Sequence, residues 1–179
     1  VAAPYTSAQE TNEELLAQKT FMTPVVDGMA LTKTSAGAPL AVTMPGSINA
    51  LLEVINLNTM QRVLLQEQAH DGKEVSARAY VTLPNRHVLI GTTGGTMYDL
   101  NPDKLTVAEQ IPEDVVKAAI YAAVLGEGSD VYVASADTTG THILAYNYTK
   151  TTWREVTTLP GAEAGLSYSD GNLYAGNAE

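Results

Sequence analysis

Three residue types able to recognise or polarise a ligand recur at one interval: Arg78, Tyr121 and Glu163 stand 43 and 42 residues apart. An arginine donor, a tyrosine hydroxyl and a carboxylate brought to one place would hydrogen-bond a sugar or a uronate. The same groups could supply a base and a charge neutraliser for lyase chemistry. Tyr80, two residues beyond Arg78, shares its face in a regular strand. The competing expectation is that Arg78 and Glu163 satisfy one another or solvent. No nucleophile, base and orienter follow one another in a recognisable order. The expected ligand-binding set is therefore Arg78, Tyr80, Tyr121 and Glu163, with no catalytic residue assigned.

That interval belongs to an internal repeat. Residues 76–93 (SARAYVTLPNRHVLIGTT), 119–136 (AIYAAVLGEGSDVYVASA) and 161–178 (GAEAGLSYSDGNLYAGNA) align without a gap. Each is an apolar strand, a polar turn and a second apolar strand. The second half of each unit repeats too, in residues 96–112 (TMYDLNPDKLTVAEQIP) and 142–160 (HILAYNYTKTTWREVTTLP), where a strand runs into a turn at Asn101 or Asn147. An earlier copy lies in residues 50–68 (ALLEVINLNTMQRVLLQEQ). A period in the forties built of four short strands predicts propeller-like units, the innermost strand first. Equivalent positions on successive inner strands would then gather round one axis, which is why the Arg78, Tyr121 and Glu163 interval matters.

The stretches YVTLPNRHVLIGTTGGTMYDLNPDKLTVAE and VYVASADTTGTHILAYNYTKTTWREV resemble blades of bacterial β-propeller proteins of the kelch, YVTN and PQQ-like group. The resemblance covers about residues 40–179 and implies an all-β propeller of four-stranded antiparallel blades. It says little about activity, because propellers host binders, hydrolases, lyases and scaffolds. The tryptophan docking motif of the PQQ-type units is not present in these repeats, so no quinone or other cofactor is implied. The expected organisation is an extension or short helix over 1–20, then blades at about 21–68, 74–112 and 117–160. An incomplete blade at 161–179 would make a partial ring of about three and a half blades. Its remainder would come from the same gene or from a second chain at the C-terminal edge.

Two segments compete with this pattern. Pro112, Glu113 and Asp114 ahead of VVKAAIYAAVLG satisfy helix-start rules, and Gly126 suits a helix end. The ungapped register with residues 76–93 outweighs that local propensity and predicts an inner strand over 118–125. Near the N-terminus, Thr11 or Asn12 could cap a short helix running to Gln18, covering a propeller edge.

The remaining motifs read as architecture. Gly91-Thr92-Thr93-Gly94-Gly95 lacks the Lys-Ser or Lys-Thr pair and the following helix of a phosphate cradle, so it predicts a hairpin turn. His70, His87 and His142 show no metal-ligand spacing. Asp71-Gly72-Lys73-Glu74 and the acids around Gly126 and Gly128 lack the ligand alternation of a calcium loop. Asn147-Tyr148-Thr149 fits the N-glycosylation pattern, which matters only on a eukaryotic secretory route. Trp153, the one tryptophan, takes the place of Val107 in the preceding unit and is expected to pack.

Composition sets the outer limits. With 20 acidic against 10 basic residues the net charge is -10, a field that repels phosphate backbones and anionic bilayers and argues against nucleic acid as a partner. No apolar run approaches the roughly 18 residues of a membrane span. The chain has no cysteine, which excludes disulfides and thiolate chemistry. A start at Val1-Ala2-Ala3-Pro4, an acidic pI and few lysines suit a secreted or cell-envelope protein. The expected function is a bacterial recognition module for a glycan or protein partner, with enzymatic activity of this chain alone left open. The alternatives are a fragment of a propeller-fold polysaccharide lyase or hydrolase, and an assembly unit pairing through an open edge.

Overall fold

The computed structural model describes residues 28–44, 49–68, 76–110, 118–161 and 164–177. Every regular element among them is a β-strand. The first sheet is β1 (Ala30–Lys33), β2 (Pro39–Thr43), β3 (Asn49–Asn56) and β4 (Arg62–Gln68). The second is β5 (Ala77–Thr82), β6 (Val88–Thr92), β7 (Met97–Asn101) and β8 (Thr106–Gln110). The third is β9 (Ala119–Leu125), β10 (Asp130–Ala136), β11 (Thr141–Asn147) and β12 (Thr152–Leu159). The fourth holds β13 (Ala164–Ser169) and β14 (Asn172–Asn177). In each sheet consecutive strands pair antiparallel in sequence order. The described residues are thus all-β, built as four antiparallel sheets of two to four strands.

Residues 119–125 form strand β9 and no helix, although their alanines favour one. Each of their pairs with β10 and their contacts with β5 and β13 exist only in the strand, so tertiary pairing overrides propensity. The candidate helix over 11–18, Phe21 at the expected start of the first blade, and the motifs at His70, 71–74 and 112–114 lie outside the described residues.

The sheets stack through three apolar clusters. Val42, Leu52, Val54, Ile90, Tyr98 and Leu100 join the first to the second. Leu89, Met97, Ile120, Val133, Leu144 and Tyr146 join the second to the third. Ala134 and Ile143, with Leu166 and Leu173, join the third to the fourth. A strand sandwiched this way needs apolar side chains on both faces, which is why β6 reads VLIGT and is buried at all five positions. The first strands of successive sheets touch, β1 with β5, β5 with β9 and β9 with β13. Gly91 makes one such approach possible, since a Cβ there would sit 2.4 Å from Ile120 Cγ2 on β9.

One turn design recurs at the far end of three sheets. The side-chain oxygen of Asn56 accepts the amides of Asn58 and Thr59, that of Asn101 accepts those of Asp103 and Lys104, and that of Asn147 accepts that of Lys150. Four residues after each Asn the backbone enters the left-handed region, at Met60 (φ 56), Leu105 (φ 52) and Thr151 (φ 53). An Asx turn that spares the backbone a water partner is the reason for asparagine at these places.

Candidate functional site

The interval that links Arg78 to Tyr121 is carried by two equivalent β-bulges. In the second sheet Ala77 pairs with Thr92 and Ala79 with Gly91, leaving Arg78 with no residue opposite. In the third, Ile120 pairs with Ser135 and Ala122 with Ala134, leaving Tyr121 in the same situation. An extra residue bends the strand and redirects its side chain. The effect on facing is direct: Ala77 and Ala79 are two residues apart yet belong to opposite clusters, and so do Ile120 and Ala122.

The bulges bring the two site residues together. Arg78 is exposed and its guanidinium carbon lies 5.5 Å from the centre of the Tyr121 ring, a cation–π pair of about 0.5–1 kcal/mol at an exposed site. A guanidinium is by its chemistry suited to a carboxylate or to vicinal hydroxyls.

Tyr80 does not join this pair. Its ring packs into the first cluster, where a Cβ on Gly28 would touch it at 3.2 Å, and its hydroxyl accepts the amide of Met44 at 3.0 Å. Regular alternation would put Tyr80 on the face of Arg78; the bulge between Ala77 and Ala79 changes the parity and separates them. Glu163 lies outside the described residues.

Further polar constellations emerge only in three dimensions. His142 is 7% exposed. Its Nδ1 lies 3.1 Å from Glu155 Oε1 and 3.2 Å from Thr158 Oγ1, and its Nε2 lies 3.3 Å from Thr139 Oγ1 and 3.5 Å from Asp137 Oδ1. Hydroxyl, imidazole and carboxylate in a line have the outline of a proton relay. The Thr139 hydroxyl, however, donates to Asp137 at 2.6 Å, so its proton is already committed. The hydroxyl and amide of Thr139 hold Asp137 below the usual carboxylate range, and the hydroxyl of Thr158, aided by His142, does the same to Glu155. The network ties the β10–β11 turn to β12.

A second constellation sits between the second and third sheets. His87 Nδ1 and Asp99 Oδ1 are 2.7 Å apart. Tyr146, fully buried, with its ring tilted against that of Trp153 at a centroid distance of 4.7 Å, has a hydroxyl with no hydrogen-bond partner among the described residues. Burial first, and the charge of Asp99 second, push that phenol up to about 12. Trp153 thus packs, as its equivalence with Val107 predicts. A third group centres on Asp130, which accepts from Asn147 Nδ2 at 2.9 Å and Arg154 Nη2 at 2.8 Å. Both ends of the Asn147 amide are engaged in holding its turn.

The turn at 92–96 closes through Gly95 N–H on Thr92 C=O, with Gly95 at φ 80, and leads into strand β7. It is a hairpin, not an anion cradle. Among the described residues no group of three or more His, Asp or Glu is placed to hold a metal, and no helix is long and apolar enough to cross a membrane. No protein-family model matches the chain, and no curated protein matches it significantly.

Proposed function

We propose that the chain is a segment of a β-propeller of the kelch, YVTN and PQQ-like kind, secreted or held in a bacterial envelope, that recognises an acidic glycan through Arg78 and Tyr121. The observation that carries the reading is the pair of equivalent bulges, which set a guanidinium over a tyrosine ring on adjacent first strands. A uronate offers a carboxylate for Arg78 and hydroxyls and a C–H face for Tyr121. The fold reading rests on the repeat, on the sequential four-stranded sheets and on the contact of successive first strands.

Calorimetric titration with short oligouronates and with neutral oligosaccharides of equal length tests the function. Saturable binding of the acidic series is expected, weakened at least about tenfold by Arg78→Gln, since hydrogen bonds to charged groups contribute ~1.5–3 kcal/mol. Equal uptake of both series, or indifference to Arg78→Gln, overturns it. Release of unsaturated ends would move the assignment to a polysaccharide lyase.

A second reading, assembly, is favoured by the fourth sheet. β14 pairs β13 on one side and no other strand among the described residues, and Tyr174 beside that edge is 58% exposed. A hairpin from the remainder of a propeller or from a second chain would extend it to the four strands of the other sheets. Proline at Ala175 should then abolish the association.

A further inference from the structure

At the opposite end of β5 from Arg78, the β1–β2 and β5–β6 hairpins flank a cleft of about 490 Å³. Leu31, Pro39, Leu83 and Pro84 line it, together with the cations Lys33 and Arg86, and its lining contains no acid. That is the reverse of a chain whose acids outnumber its bases two to one. Leu31 is 61% exposed. Leu31 thus presents an apolar surface to solvent beside the two cations of the lining.

The walls are fixed. The Thr82 hydroxyl donates to the Leu31 carbonyl at 2.8 Å and the Thr32 hydroxyl to the Arg86 carbonyl at 2.6 Å, so β1 and the β5–β6 turn are tied from both sides. Asp103 offsets one of the two positive charges. Its Oδ2 lies 3.0 Å from Arg86 Nη2, while its Oδ1 accepts the Ser35 amide at 2.6 Å. Lys33 makes no ion pair among the described residues. The cleft is shallow and open to solvent, and it offers one net positive charge at an apolar wall.

We propose that this cleft binds a small monocarboxylate with an aliphatic body, its carboxylate on Lys33 and its chain against Leu31 and the flanking prolines. Neither the site nor its ligand overlaps the Arg78–Tyr121 pair, so either proposal can fail alone.

Octanoate is the probe, followed by amide chemical shifts of the whole chain, with octan-1-ol and acetate as controls for tail and charge. Saturable shifts confined to residues 31–39 and 82–86 are expected, with both controls about fivefold weaker or more. Lys33→Gln removes no side-chain hydrogen bond or ion pair made among the described residues and should weaken octanoate about threefold, the size of one exposed charge pair. Octanol binding as tightly as octanoate, shifts centred elsewhere, or a Lys33→Gln variant that binds octanoate unchanged would each overturn the proposal.

Discussion

Alanine at position 91 should force the second and third sheets apart. The added Cβ would stand 2.4 Å from Ile120 Cγ2, 3.2 Å from Ile120 Cβ and 3.1 Å from Ala79 Cβ. Carbon atoms are comfortable at about 3.5–4.0 Å, so the nearest contact is short by more than an ångström. Ile120 is only 1% exposed and packed in the second cluster; it can yield only by leaving its rotamer or by moving β9 outward. Overpacking of this kind costs about 1–3 kcal/mol, and a clash wedged between two strands belongs at the upper end, near 3. Ile120→Ala alone opens a cavity and should cost about 2–5 kcal/mol. Combined, the two changes relieve each other, because the methyl at 91 occupies space that Ile120 vacates. The double variant should lose about 1–2 kcal/mol less than the sum of the singles. Urea unfolding of the wild type, both singles and the double measures this directly. A Gly91→Ala chain within about 0.5 kcal/mol of wild type, or strict additivity in the double, refutes the interlocking of β6 with β9.

Tyr146→Phe removes a buried hydroxyl that has no partner among the described residues and should leave stability unchanged or raise it by up to about 1 kcal/mol; a loss of more than about 1 kcal/mol contradicts the geometry. The same variant should lose a phenol titrating at about 12 in an alkaline absorbance titration. Because burial opposes ionisation of that phenol in the fold, stability should hold below pH 10 and fall as pH rises toward 12. On the acid side, Asp137 and Glu155 are depressed below 3.8 and 4.5. The unfolded chain binds more protons as pH falls through those values, so stability should decline there. Urea midpoints between about pH 2 and about pH 6 would show this, with a shallower slope in Thr158→Val. A flat profile would contradict the His142 network.

The repeat made the strands legible because each unit repeats its strand and turn chemistry. The asparagine turns show it, since Asn101 and Asn147 mark turns in the sequence and Asn56 proves to be the third of the set. Gly91 reads in sequence as part of a flexible turn; its role in sheet approach depends on Ile120, 29 residues away. The interval also identified Arg78 and Tyr121 as equivalent. It could not reveal the bulges, because alternation assumes one residue for one across a ladder; Tyr80, which that alternation sets beside Arg78, packs its ring against the first cluster. The His142 network was illegible for another reason. Asp137, Thr139, Glu155 and Thr158 surround the imidazole only once β11 and β12 pair with their own register shift between Ile143 and Leu144. Neither spacing nor composition encodes that shift.

The most direct test of the recognition claim is a titration of the isotopically labelled chain with a triuronate, reading every backbone amide. Shifts centred on residues 77–79 and 120–122, saturating together and lost in Tyr121→Ala, are the predicted outcome. Shifts centred elsewhere, or none at saturating sugar, would contradict it.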